Sequence, residues 1–318
     1  MTVHEHLKTF HRLPVHAAPH PKDNRPQPAA DSVAWRVASD VYDHDHEWTE
    51  AFARFLDTVD SAQVKAIVVG AWEEAYETDP ATVIEAIVAA KDRLPALRAL
   101  FLGDMTSEEC EISWINQTDV TPLLTAFPEL AELGTRGGQG LSLDAVTHRA
   151  LRRLTMESGG LPAVVVRAVA ACDLPALEHL DLWLGTPDYG GDAEIADLEP
   201  ILSGARLPSL RHLALRNSEM QDQVAAAVAA APVVARLESL DLSMGILTDD
   251  GAAALLTGQP LTHLKKLDLH YNYLTDPLRD RLRATLEPAG VALDLDRDDA
   301  EDDEEDDGTV WRYVAVGE

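Results

Sequence analysis

The sequence predicts an α/β solenoid, a curved array with parallel strands along its inside and helices along its outside. Three observations carry that prediction. A template of leucine, two spacers, leucine, one spacer, leucine recurs in register along most of the chain. Amphipathic helical patterns fill the gaps between its copies. The 318 residues are 46% hydrophobic and 25% charged, which suits a large folded core and excludes wholesale disorder.

Taken in chain order, the copies begin weakly with Val64-Ile67-Val69, Leu97-Leu100-Leu102, Leu130-Leu133-Thr135 and Leu151-Leu154-Met156. Four clean ones follow at Leu177-Leu180-Leu182, Leu210-Leu213-Leu215, Leu237-Leu240-Leu242 and Leu264-Leu267-Leu269, then a half-copy at Val291, Leu293 and Leu295. Their first positions step by 33, 33, 21, 26, 33, 27 and 27 residues, too regular for a merely leucine-rich composition. Each copy reads as a short strand that turns its leucines inward.

The intervening helices follow from caps and apolar faces. Asp79-Pro80 marks a helix start, with Val83, Ile84, Ile87 and Val88 as its buried face. Thr248 caps another, whose first turn holds Asp249 and Asp250 at the positive end of the dipole. Further helices are expected near 162–172, 193–203, 221–230 and 275–287, and an earlier one carries Trp48, Phe52, Phe55, Leu56 and Val59.

The last copies carry a family resemblance. Leu267-Asp268-Leu269 runs on to Asn272, Leu274, Thr275 and Asp276, and Leu240-Asp241-Leu242 to Leu247, Thr248, Asp249 and Gly251. This resembles the ribonuclease-inhibitor-like class of leucine-rich repeats, over roughly 64–295, and within it a group of bacterial cytosolic leucine-rich-repeat proteins. The resemblance implies alternating strand and helix; it implies no activity. The asparagine that closes the family motif stands only at Asn272, its counterparts being Met105, Gly138, Gly159, Gly185, Ser218 and Gly245. An irregular horseshoe is therefore expected, with the long stretches around 103–121 and 184–200 bulging from its rim.

Three regions follow from this: a loose proline-rich lead-in over 1–32, a solenoid over 33–295 capped by a strand at Val33, Trp35 and Val37, and an acidic tail over 296–318. Residues 294–307 hold eleven acids and one arginine, and such a block repels itself into an extended form. The apolar patch after it, Trp311, Tyr313, Val314 and Val316, is expected to dock on the chain's own array, at strand 291–295 or on the adjacent concave surface; the alternatives are capture of a partner by strand addition and a plain solubilising tail.

The formal charge of −29 argues against nucleic acid as a partner, since phosphate binding needs clustered Lys and Arg. No apolar run reaches the roughly 18 residues of a membrane span, and the first residues lack the apolar core of a signal peptide. Cys110 and Cys172 make neither a disulfide framework nor a metal motif. A cytoplasmic monomer is the expectation.

Strand side chains alternate, so the residues between the motif leucines face the concave surface. In the strong copies these are His179, Asp181 and Trp183; His212, Ala214 and Arg216; Ser239, Asp241 and Ser243; and Lys266, Asp268 and His270. Earlier copies add Phe101, Glu132, Arg136, Arg153 and Glu157. Nine strands about 4.8 Å apart span roughly 40 Å, a length suited to a protein ligand. His179, Asp181, Trp183, His212, Arg216, Asp241, Lys266, Asp268 and His270 are thus the candidate partner-binding residues, on a non-catalytic scaffold. The alternative is an accessory or weak enzyme using the Asp/His ladder, but no nucleophile motif or phosphate loop accompanies it. Asp43-His44-Asp45-His46-Glu47 resembles a metal cluster in composition, yet consecutive residues seldom converge on one ion, and a polar entry to the helix at Trp48 explains it. No metal or cofactor is expected.

Overall fold

The structure is a computed structural model that describes residues 3–20, 26–39, 47–300, 302–305 and 309–317. It is a leucine-rich-repeat solenoid. Twelve strands form one sheet in chain order: β1 (Thr9–Phe10), β2 (Leu13–Ala17), β3 (Ala34–Val37), β4 (Ala66–Val69), β5 (Ala99–Leu102), β6 (Glu132–Arg136), β7 (Arg153–Glu157), β8 (His179–Gly185), β9 (His212–Ser218), β10 (Ser239–Asp241), β11 (Lys266–Asp268) and β12 (Ala292–Asp294). All neighbours pair in parallel except β1 and β2.

Register follows the leucines. Leu180, Leu213, Leu240, Leu267 and Leu293 stand side by side on successive strands. The first four are essentially inaccessible and belong to one core running through all repeats. No repeat holds this core alone, because each buries its leucines against its neighbours.

The outer layer is α1 (Trp48–Thr58), α2 (Ala81–Ala89), α3 (Thr121–Ala126), α4 (Ala163–Ala171), α5 (Ile195–Ser203), α6 (Gln221–Ala229), α7 (Asp249–Thr257) and α8 (Asp276–Leu286). Caps fall where the sequence puts them: Asp79 accepts the Ala81 N–H at 2.8 Å and Thr248 that of Asp250 at 3.3 Å. Strand-turn-helix does not hold for every repeat, however. The 21-residue step between β6 and β7 leaves no length for a helix, and 137–152 crosses the outer side in extended form with isolated bridges to its neighbours.

Residues 9–17 depart from the expected loose lead-in. They form a hairpin whose two turn residues, His11 (φ 50°) and Arg12 (φ 61°), are both left-handed, as a two-residue type I′ turn requires. β2 extends the sheet beside β3, but β1 folds over the concave face. There Phe10 meets Phe101 edge-on at 5.8 Å, above Ala34, Ala66, Val68 and Ala99. Small residues on three successive strands leave room for this arm. Gly134 does the same for Phe101, whose ring lies 2.4 Å from where a Cβ would stand.

The other end also returns to the body. β13 (Asp303–Glu304) pairs antiparallel with β14 (Val310–Trp311), and Val314, Ala315 and Val316 are then buried. They do not dock on strand 291–295. They lie across the C-terminal ends of the inner strands, against Ile112, Trp183, Met244, Tyr271 and Tyr273.

Candidate functional site

The alternation of strand side chains arranges the concave face in three rows. The first reads Ala34, Ala66, Ala99, Glu132, Arg153, His179, His212, Ser239, Lys266; the second holds Phe101, Gly134, Thr155, Asp181, Ala214, Asp241 and Asp268. Arg136 and Glu157, then Trp183 and Arg216, are neighbours in the third. Beneath β1 the face is apolar and covered. From β6 onward it is mostly polar and not covered by β1, although Arg136, Trp183 and Asp268 are buried.

Charges alternate from strand to strand, beginning in the buried part of the face, where Asp104 and Arg136 are 0% and 3% accessible. The Arg36 guanidinium binds Asp104 at 2.9 Å, Asp104 lies 3.6 Å from Arg136, and Arg136 binds Glu157 at 2.8 Å. Arg216 grips both oxygens of Asp181, at 3.0 and 2.7 Å, and approaches Asp241 at 3.8 Å. Burial pushes the Glu157 carboxyl up, against the pull of Arg136, and pushes Asp241 up against Arg216. Such pairs hold the surface in one arrangement, because a bidentate guanidinium fixes orientation as well as distance.

The predicted residues fall into clusters. His179 and His212 stack with ring centroids 3.8 Å apart, and His212 Nδ1 lies 2.7 Å from the Ser239 hydroxyl. Burial, with Arg153 and His212 adding to it, drives the His179 imidazole down to about 3; burial likewise lowers His212. Both rings are neutral at pH 7, so the pair offers faces and lone pairs rather than charge.

On β11, burial opposes ionisation of Asp268, but hydrogen bonds from His270 and Lys266, each at 2.7 Å, outweigh it and hold the carboxyl well below its usual range. The same bond raises His270. Asp268, His270 and Asp294 carry ligand-type atoms within 4.8 Å of one another. Both Asp268 oxygens are already taken, one of them by an ammonium, which disfavours a cation there.

Trp183 departs from the expected exposed contact. It is 7% accessible, with the Arg216 guanidinium 4.8 Å from its ring centroid and the returning tail packed beside it. Trp114, in the other long rim stretch, is 55% exposed. A cleft of about 740 Å³ opens beside the β1–β2 turn, lined by His11, Arg12, Glu132, Arg153, His179 and Asp181 among others. The turn itself is fixed by His11 Nδ1, 2.9 Å from Glu132.

Sequence reasoning missed two things. One is the arm over the concave face, whose signal was the run of small residues at Ala34, Ala66 and Ala99. The other is the rim row Asn217, Met244 and Tyr271, at one position in successive repeats and all with left-handed backbone. Of the composition-based metal cluster, residues 43–46 lie outside those described; Glu47 precedes α1, whose Trp48 N–H donates to Glu73. Cys110 and Cys172 are free thiols, and burial pushes Cys110 up to about 11 and raises Cys172. No helix among the described residues is long and apolar enough to cross a membrane.

No model of a known protein family matches the chain, nor does any curated protein. Among solved structures, a Bacteroides fragilis protein determined as a structural-genomics target is 30% identical, with a TM-score of 0.77 over 89% of this chain and 78% of that one. An internalin from Listeria monocytogenes is 13% identical, with a TM-score of 0.33 over 76% of this chain and 56% of its own, too low to bear on the fold.

Proposed function

The chain belongs to the same family as the Bacteroides fragilis protein, and within that family we propose that it is a non-catalytic scaffold that binds another protein through its concave strand face and rim loops. The observation that carries this reading is the open polar face from β6 to β11, where ion pairs and stacked rings pre-organise side chains over several strands. A broad, fixed, polar surface of that kind suits recognition of a folded partner. Catalysis is disfavoured by the stacking of His179 with His212, whose partial burial leaves both rings neutral, and by the exposure of the face to water. We read the repeats as ribonuclease-inhibitor-like, on their alternation of strand and helix, and the protein as a cytoplasmic monomer, on its two free thiols and its charge of −29.

The test is partner recovery with charge-reversed variants. Asp241→Lys and Lys266→Glu should each abolish recovery while the circular dichroism spectrum stays unchanged. Glu85→Lys and Arg281→Glu, exposed on the outer helices, should leave it intact. Loss of recovery only with the outer pair would place the interface on the convex side.

A further inference from the structure

The returning tail is held through its backbone. Tyr273 Oη donates to the Tyr313 carbonyl at 2.8 Å and accepts the Tyr313 N–H at 3.1 Å. The Met244 carbonyl accepts the Ala315 N–H at 2.8 Å. The Asn217 amide takes both sides of Val316, its Oδ1 accepting the N–H at 2.9 Å and its Nδ2 donating to the carbonyl at 2.6 Å. Ser113 Oγ donates to the Gly317 carbonyl. Any peptide that follows the same path, with its bend at Ala315, offers the same donors and acceptors.

Side-chain demands are slight by comparison. Ala315 and Val316, 1% and 2% accessible, fill shallow apolar positions between Ile112, Trp183, Met244, Tyr271 and Tyr273. The floor is built for the purpose at some cost. Asn217, Met244 and Tyr271 have φ of 54°, 67° and 53°, a region that side chains such as Met and Tyr rarely enter and that clusters at ligand clamps.

The fit is also incomplete. The indole N–H of Trp183, in the same cluster, is buried and has no acceptor among the described residues. A buried donor left unpaired disfavours the occupant that leaves it so. The approach to the groove is unfavourable too, because the segment arrives through the acidic block of 294–307 on a chain already at −29.

We propose that this rim is a peptide-binding groove, in which residues 313–317 occupy the place of a segment from a partner protein that follows the same bent path. That segment is small or β-branched at the Ala315 and Val316 positions, carries basic residues on its N-terminal side, and brings an acceptor to Trp183. It enters without the acidic link and exchanges self-repulsion for attraction. The tail competes as a tethered ligand, at an effective concentration on the order of millimolar, and so sets the affinity a partner must exceed. This groove lies at the strand ends and shares Trp183 with the concave rows, but it uses none of Asp241, Lys266 and Asp268, so either reading can fail alone.

The experiment uses the full chain and two labelled peptides, residues 309–318 as they stand and the same sequence with three lysines added at its start. Ala315→Asp with Val316→Asp ejects the tail. The ejected variant should bind the first peptide at least about 10-fold more tightly than the native chain does. Adding Asn217→Ala should cost about 10-fold or more, since two hydrogen bonds are lost. The lysine peptide should bind more tightly at low salt, with the gain disappearing at high salt. Equal binding by native and ejected chains, or no effect of Asn217→Ala, overturns the proposal. A full chain cut once within 304–309 by an inserted protease site gives a second measure that needs no substitution in the groove. Exchange of its severed tail for labelled peptide supports the proposal, and a tail that never exchanges overturns it.

Discussion

Single side chains tie each repeat to the next. Asp222, in the first turn of α6, accepts from the Thr248 N–H at 2.7 Å, the Thr248 hydroxyl at 2.5 Å and the Gly251 N–H at 3.1 Å. One repeat later, Asp249 does the same for the Thr275 N–H and hydroxyl, at 2.9 and 2.7 Å. Asp249, which the sequence assigns to its own helix dipole, thus also reaches across to cap the following helix, and Asp222 does so one repeat earlier. Asp222→Ala should therefore destabilise by about 1–3 kcal/mol, the usual cost of stranding such donors, and not be a silent surface change. An unchanged urea midpoint would show that solvent replaces the carboxylate without loss. His179 gives a pH signature at the same scale. Unfolded, its imidazole titrates near 6.5, and folded it is driven down to about 3, so between these values only the unfolded chain takes the proton. Its contribution is present above about 6.5 and is lost as the pH falls toward about 3. His179→Asn should lose less stability than the native protein between pH 7 and pH 5, read from paired denaturant titrations. Parallel losses would mean that the ring is solvated in the fold.

At the scale of elements, strands and helices were legible because one spacing sets both. A leucine at every second position of a strand, followed by a capped apolar face, leaves little choice of register. Leu240, inaccessible in the middle of the array, tests it: truncation to Ala should cost about 2–5 kcal/mol and lower the midpoint of a single shared transition. A second transition appearing with the repeats before β9 unaffected would mean that the repeats unfold separately. The two returning elements were harder to read because neither follows the repeat. β1 is two residues long beside prolines and histidines, and only the alanines on three strands, once in register, reveal the space it fills. Of the candidate site, the rows were legible from alternation alone. The ion pairs that bind Arg216 to Asp181, and the burial of Trp183, depend on which rows and segments meet, and no spacing encodes that.

For the molecule as a whole, the tail should be part of the folded state in the absence of any partner. The amides of Ala315 and Val316, bonded to Met244 and Asn217, should exchange slowly with solvent deuterons, while those of 302–305 exchange fast. Rapid exchange at both would mean that the segment spends most of its time off the body. The docked segment has a mechanical meaning too. A solenoid is a spring whose softest motion is the opening of its arc, since each repeat touches only its neighbours. Residues 313–317 run from Tyr273, beyond β11, past Met244 and Asn217 to Ser113, which precedes β6, and Val3 packs against the same cluster. They therefore tie together repeats that are not neighbours in the sheet. A tie of that kind limits how far the arc can open, so whatever lifts it frees the softest motion of the array.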